Sequence, residues 1–174
     1  MVPLGTALPS FTLPDLDGRT VTSDTFAGAP LLVAFLCNHC PYVRHVEAGF
    51  ADLVASTPEL QVIGICSNDA ASYPADDVPG LRHQVARTGW AFPYLVDETQ
   101  DVGRAFGAAC TPDFFLYDAA GALAYRGAMD ASTPGNHLPV TGELLAQAIR
   151  LVLDGRPVPE PHRPSMGCSI KWKG

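Results

Sequence analysis

Two cysteines and a histidine directly follow an apolar run in the segment LLVAFLCNHCPYVRHV, residues 31–46. A C-x-x-C pair can cycle between dithiol and disulfide, or it can supply two ligands of a zinc or copper(I) site. It can also be a pair of inert core cysteines. A zinc site needs three or four ligands, and the chain has only this one C-x-x-C pair. The pattern therefore favours redox chemistry at Cys37 and Cys40, with metal binding as an alternative.

The position of this pair along the chain indicates how the two thiols should differ. Residues 31–36 are all apolar, which is typical of a strand buried on both faces of a sheet. Apolar residues then recur at spacings of three and four from Val43 to Phe50, which predicts a helix. A helix N-terminus lowers the pKa of a nearby thiol, so we expect Cys37 to be the attacking thiolate. Cys40, one turn further in, is expected to close the disulfide.

A second motif, Cys110-Thr111-Pro112, precedes the apolar run FFLY at residues 114–117. Proline does not fit inside a central strand, so Pro112 should start the strand, and the bond before it is a candidate for cis geometry. We expect Thr111 to offer free backbone groups to an extended substrate that faces the dithiol. Cys110 should lie near the site, where it could form an alternative disulfide with Cys37.

The elements that must position these motifs alternate between strand and helix patterns. Two short strands flank the turn signal Asp17-Gly18, a strand–helix–strand–helix–strand series follows, and a hairpin and a last helix at about 142–153 close the order. Such alternation predicts right-handed crossovers and a parallel sheet centre. We therefore expect an α/β fold with a mixed central sheet flanked by helices and an N-terminal β-hairpin extension. The domain should span 1–155, and the proline-rich tail 156–174 should be extended rather than packed.

Composition excludes several partners. The chain has 174 residues, a net charge of −7 and no basic stripe, which argues against nucleic acid or an anionic membrane as a partner. The longest apolar run is too short to span a bilayer. The opening MVPLGTALPS lacks the basic and apolar regions of a signal peptide, so we expect a cytoplasmic protein.

The motifs together resemble the thioredoxin superfamily. LLVAFLCNHCPY and TPDFFLYDAAGALAYRG carry the resemblance, and GTALPSFTLPDLDGRTVTSDTFAG is similar to the opening of the redoxin branch. That branch includes the AhpC/TSA-type peroxiredoxins and the ResA/TlpA-type thiol-disulfide proteins. The closing GCSIKW is similar to the tail of a peroxiredoxin-like bacterial subgroup. The resemblance covers about residues 5–153. It implies a thioredoxin-like fold, Cys37 as attacking thiol, Cys40 as resolving thiol, Pro112 as cis-proline, and no cofactor.

The chain also departs from its relatives at informative positions. Peroxiredoxins place a hydroxyl three residues before the peroxidatic cysteine, where this chain has Ala34, and thioredoxin has a buried aspartate where this chain has Leu31. Arg126 could place a guanidinium near the thiolate, but a solvated hairpin charge is the favoured interpretation. Asn38 and His39 replace the Gly-Pro pair of thioredoxin. A histidine here resembles the more oxidising members, so the reduction potential should exceed about −270 mV.

The sequence therefore predicts a thiol-disulfide oxidoreductase that acts on a protein or small-molecule disulfide and is reduced by an unidentified donor. Two alternatives stay open: a thiol peroxidase with Cys37 as the peroxidatic cysteine, and a zinc- or copper(I)-binding module. Cys66 is expected to be a buried core residue. Cys168 either folds back over the dithiol or is an exposed thiol of the tail.

Overall fold

The computed structural model describes residues 2–174 and contains nine strands, several of them very short. The strands are β1 (Thr12–Pro14), β2 (Thr20–Thr22), β3 (Leu31–Phe35), β4 (Gln61–Cys66), β5 (Tyr94–Val96), β6 (Cys110–Thr111), β7 (Asp113–Tyr117), β8 (Leu123–Gly127) and β9 (Cys168–Ser169). The helices are α1 (Pro41–Ala55), α2 (Val78–Thr88), α3 (Asp101–Phe106) and α4 (Glu143–Leu153). Short 3₁₀ turns occupy Ser23–Phe26 and Pro74–Asp76.

Five strands form the central sheet in the order β5-β4-β3-β7-β8. β3 runs parallel to β4, and β4 runs parallel to β5. β7 runs antiparallel to both β3 and β8. The predicted mixed sheet with a parallel centre is confirmed, and so is the hairpin at its C-terminal side. All five residues of β3 are buried, because β3 is the middle strand and is covered on both faces.

The alternation of side chains along β3 divides the core between the two faces of the sheet. Leu32 and Ala34 face a cluster that also holds the apolar residues of α1, α2 and α4. Leu31, Val33 and Phe35 face a second cluster, which contains residues of α3 and of the N-terminal segment. Helices therefore cover both faces, as the sequence predicts. The C-terminal edge of β3 leads directly into the segment with the two cysteines.

The predicted N-terminal hairpin is present as β1 paired antiparallel with β2. It lies against the second cluster, where Phe11 and Leu13 are buried. Within residues 2–174, none of the helices combines the length and the apolar character needed to cross a bilayer.

The tail from residue 156 onward differs from the expectation that it would not pack. It has little regular structure, as its prolines predict, but β9 pairs antiparallel with β6 and Ile170 is buried in the second cluster. Trp172 packs against the same cluster. The prolines prevent a helix, whereas the apolar residues that follow them supply enough burial to hold the tail on the domain.

Candidate active site

The site is built where β3 ends and α1 begins, and the helix starts later than the sequence suggested. α1 begins at Pro41, and Cys40 is its N-cap residue. Proline is well suited to the first helical position, because its missing N–H has no partner there anyway. The expectation that Cys37 lies at the helix N-terminus and Cys40 one turn inside it is therefore wrong. The N–H groups and the partial positive charge of α1 act on Cys40.

Both thiols are fully buried and both contact Thr111. Cys37 and Cys40 have 0% of their surface exposed. The Thr111 hydroxyl lies 3.2 Å from Cys37 Sγ, and Cys40 Sγ lies 3.3 Å from the Thr111 carbonyl oxygen. The two cysteines are free thiols that interact with each other. Thr111, from β6, thus contacts both thiols of the pair.

The environment separates the pKa values of the two thiols. The neighbouring Cys37 thiol has the largest influence on the pKa of Cys40, and the Cys168 thiol and the N–H groups of Val43 and Cys168 act in the same direction. Together these groups lower the pKa of Cys40 to about 4, against the effect of burial. The same Cys40 interaction, burial and the nearby Asp76 carboxylate raise the pKa of Cys37 well above its ordinary value. Cys40 therefore has the lower pKa of the two thiols and is the candidate thiolate of the reduced pair.

A buried carboxylate, Asp76, fixes the segment between the cysteines. One of its oxygens accepts from the backbone N–H groups of Asn38, at 2.7 Å, and His39, at 3.0 Å. Its other oxygen contacts His39 Nδ1 at 2.5 Å and accepts from Asn68 Nδ2 at 2.9 Å. The His39 ring also stacks on Tyr73. His39 is thus held beside Cys37 by Asp76, and it is not among the groups that lower the pKa of Cys40.

A second buried polar network supports the same segment from α1 and α2. Gln84 has no exposed surface and donates to the Cys37 carbonyl oxygen at 2.9 Å and to Glu47 at 3.0 Å. Arg87 makes hydrogen bonds to both carboxylate oxygens of Glu47 and to Asn38 Oδ1. Glu47 is only 8% exposed and is paired with Arg87.

The Thr111-Pro112 peptide bond is cis, as the motif predicted. The backbone of Thr111, however, is not free for a substrate. It pairs with Cys168 of β9, so the tail of the chain occupies the position next to the dithiol. Of the two alternatives for Cys168, the one in which it folds back over the dithiol is confirmed.

Cys110 and Arg126, which the sequence also singled out, have other hydrogen-bond partners than the two thiols. Cys110 is half-buried, its thiol lies 3.7 Å from the Pro112 carbonyl oxygen, and burial raises its pKa to about 12. Arg126 is buried rather than solvated, 3.6 Å from Asp113, and it donates to the Gly107 carbonyl oxygen. Neither residue makes a hydrogen bond to Cys37 or Cys40.

Cys66 is a core residue, as expected. It is 3% exposed at the end of β4, and burial raises its pKa to about 12. Among all five cysteines, only Cys40 has a lowered pKa.

One set of side chains has the spacing of a metal site. Donor atoms of Cys37, His39 and Asp76 lie within 4.8 Å of one another. The Asp76 carboxylate, however, already accepts four hydrogen bonds, two on each oxygen, which uses its full acceptor capacity. A metal ion would have to displace the donors that shape the segment, so these groups fit a structural role better than a ligand set.

Sequence reasoning missed Asp76 and the change in helix start. A signal for the first was present, because two adjacent aspartates precede α2 and only one, Asp77, is needed to cap it. The signal for the second was Pro41, since proline is favoured at the first helical position and so assigns the cap to Cys40.

Comparisons with known proteins identify the family and the fold of the chain. Residues 4–126 match the AhpC/TSA family. The chain belongs to the AhpC/TSA family. A rice protein of this kind, the chloroplastic peroxiredoxin Q of Oryza sativa subsp. japonica, is 38% identical over 72 residues. That match spans 40% of this chain and 33% of the rice protein.

Solved structures show that this AhpC/TSA protein has the thioredoxin-like fold. It superposes on a hypothetical protein of Sinorhizobium meliloti 1021 with a TM-score of 0.96 and 41% identity, over 99% of this chain and 96% of that one. It superposes on an uncharacterized conserved protein of Geobacillus kaustophilus with a TM-score of 0.95 and 44% identity, over 99% of this chain and 94% of that one. A secreted Mycobacterium tuberculosis disulfide oxidoreductase, homologous to E. coli DsbE, shares the fold. Its TM-score is 0.65 at 18% identity, over 80% of this chain and 94% of that one.

Proposed function

We propose that the protein is a thiol-disulfide oxidoreductase whose redox centre is the pair Cys37 and Cys40. The observation that carries this proposal is the placement of two free, buried thiols, Cys37 and Cys40, which both contact Thr111 beside its cis peptide bond to Pro112. The lower pKa of Cys40 and the raised pKa of Cys37 agree with unequal roles for the two thiols. Disulfide exchange needs one thiolate to attack and one neighbouring thiol to resolve the mixed disulfide. Membership of the AhpC/TSA family and the thioredoxin-like fold support the same class of oxidoreductase.

In this proposal the sequence-based roles of the two cysteines are reversed. The Cys40 thiolate attacks one sulfur of the substrate disulfide, that bond breaks, and the first substrate sulfur leaves as a thiolate that takes up a proton. Cys37 then loses its proton and attacks Cys40, which forms the Cys37–Cys40 disulfide and releases the second substrate thiolate. The Thr111 hydroxyl, 3.2 Å from Cys37 Sγ, stabilises the charge that forms on Cys37. Two electrons pass to the substrate, and an external reductant returns them.

A peroxidase is the second candidate, and the match to rice peroxiredoxin Q favours it. The Cys40 thiolate would attack the peroxide O–O bond, giving a sulfenic acid and releasing water or an alcohol. Condensation with the Cys37 thiol would then release water and form the same disulfide. Peroxiredoxins place a hydroxyl three residues before the peroxidatic cysteine. With Cys40 in that role, the position is occupied by Cys37, which has no hydroxyl. The peroxidase would therefore have to use the Thr111 hydroxyl, which contacts Cys37.

Turnover of a peptide disulfide and of hydrogen peroxide separates these candidates. The wild type, Cys40→Ser and the matched control Cys110→Ser are compared with dithiothreitol as reductant. We expect disulfide reduction by the wild type and by Cys110→Ser, and background rates with Cys40→Ser. Disulfide turnover that survives Cys40→Ser contradicts the proposal. Fast peroxide consumption with slow disulfide reduction favours the peroxidase instead.

A further inference from the structure

Of the three thiols that the proposed exchange does not use, Cys168 is the one that faces the redox pair. In the β6–β9 ladder Cys168 is directly opposite Thr111. Side chains directly opposite each other in an antiparallel pair point to the same face of the sheet. Because the Thr111 side chain points to Cys37 Sγ, the Cys168 side chain also faces the pair. It packs against the core cluster that contains both thiols, and its N–H and thiol interact with Cys40.

The three sulfurs differ in accessibility. Cys37 and Cys40 have no exposed surface, whereas Cys168 is half-buried. The residues after Cys168 fix the tail in this position: Ile170 N–H donates to the Ala109 carbonyl oxygen at 3.1 Å, and Lys171 N–H donates to Asn68 Oδ1 at 2.9 Å. Cys168 is therefore the one of these three residues with surface open to an external thiol.

We propose that Cys168 is a third redox thiol, which forms a disulfide with Cys40 and through it connects the buried pair to an external dithiol reductant. This inference rests on the proposed function and adds the route by which the pair is reduced again.

The exchange balances in two steps. First, Cys168 loses its proton and its thiolate attacks Cys40 of the Cys37–Cys40 disulfide. The new Cys40–Cys168 bond forms, Cys37 leaves as a thiolate, and it takes up a proton, with no net oxidation. Second, a thiolate of the external dithiol attacks Cys168, and Cys40 leaves as a thiolate. The second thiol of the reductant then resolves the mixed disulfide, which frees Cys168 and transfers two electrons to the protein.

The charges around Cys168 suit this order of events. Burial and the Cys40 thiolate raise the pKa of Cys168 to about 11 in the reduced protein, while Lys171 acts to lower it. When Cys40 is in a disulfide, its negative charge is gone, so the contribution of Cys40 disappears and the contribution of Lys171 stays. Cys168 therefore becomes more acidic when it is required to attack. In the second step the leaving sulfur is Cys40, and a thiol of low pKa leaves faster.

Peptide mapping without reductant tests the connection directly. Reduced Cys37→Ser is mixed with oxidised glutathione, which can place glutathione on Cys40. We expect the glutathione to be released and a Cys40–Cys168 disulfide to accumulate. The double variant Cys37→Ser/Cys168→Ser should keep the glutathione on Cys40. Glutathione that stays on Cys40 in the single variant overturns the relay, while glutathione that never reaches Cys40 in either variant contradicts the proposed function.

The rate of reduction gives a second test that does not depend on Cys37→Ser. The Cys37–Cys40 disulfide is prepared in the wild type, in Cys168→Ser and in the control Cys110→Ser, which makes the same change on the paired strand. Reduction by dithiothreitol is followed by quenched alkylation. We expect the rate to fall by at least about tenfold in Cys168→Ser and to stay the same in Cys110→Ser. Equal rates in all three proteins overturn the relay and leave the proposed function intact.

Discussion

The first prediction concerns the charge on Cys40 in the reduced protein. A thiol ordinarily titrates near pH 9.0, and here the donors around Cys40 lower its pKa to about 4. Titration of the reduced protein should therefore show one thiolate that persists down to about pH 4, while the Cys37 thiol stays protonated. The perturbation that tests this is Cys37→Ala, which removes the thiol that contributes most to the lowered pKa.

The size of the effect follows from the lowered pKa of Cys40. A pH of 7 lies three units above a pKa of about 4, so the thiol is almost fully ionised. At 1.36 kcal/mol per unit, this ionisation stabilises the reduced form by roughly 4 kcal/mol. For a two-electron couple, 1.4 kcal/mol corresponds to about 30 mV, so the reduction potential should lie roughly 90 mV above that of the same pair with an ordinary thiol. The lowered pKa of Cys40 therefore acts in the same direction as the effect that the sequence assigned to His39.

Thiolate absorbance at 240 nm measures this charge without requiring access to the buried sulfur. The reduced wild type, Cys37→Ala and Cys40→Ser are titrated from pH 3 to pH 9, with far-UV circular dichroism to confirm that each stays folded. We expect a midpoint near pH 4 in the wild type, a higher midpoint in Cys37→Ala, and no such transition in Cys40→Ser. A wild-type midpoint above pH 8, or a low-pH transition retained in Cys40→Ser, would refute the assignment.

Three further predictions address stability and the tail. Urea unfolding at pH 5 to 8 should show that the reduced wild type gains stability over Cys40→Ser as the pH rises. The gain should reach up to about 1.4 kcal/mol per pH unit between the folded and unfolded pKa values of Cys40, and a stability difference that does not change with pH contradicts this. Asp76→Asn should lower the free energy of unfolding by about 2–4 kcal/mol, because it replaces a buried carboxylate whose oxygens are all hydrogen-bonded. Asp77→Asn, at the cap of α2, should lower it by less than about 0.5 kcal/mol. Gly167→Ala places a methyl group against the Thr111 carbonyl oxygen of β6 and so loosens the tail. Alkylation of Cys168 should therefore accelerate, and an unchanged rate would contradict the packing of the tail.

Most of the fold could be predicted from the sequence, because its signals are local. The fully apolar β3 and the spacing of three and four in α1 define a central strand followed by a helix. The tail was misjudged because its prolines are a local signal, whereas the burial of Ile170 depends on the distant α3 and N-terminal segment.

The sequence predicted which residues form the site, but it did not predict the role of each cysteine. Cys37, Cys40, Thr111 and Pro112 come together as expected. The assignment of the thiolate failed because it depends on where the first turn of α1 begins, a shift of three residues. Helix ends are set by capping and tertiary contacts more than by periodicity. The contact of Cys168 with Cys40 depends on pairing between β6 and β9, which no local pattern specifies.

The measurement that tests the central claim most directly is the site at which a substrate disulfide is captured. A labelled peptide disulfide is mixed with reduced Cys37→Ser/Cys168→Ser and with reduced Cys40→Ser, and the mixed disulfides are mapped by mass spectrometry. Cys40 as the attacking thiolate predicts a stoichiometric adduct on Cys40 in the first protein and none on Cys37 in the second. An adduct on Cys37 in the second protein, with Cys40 unmodified in the first, would contradict it.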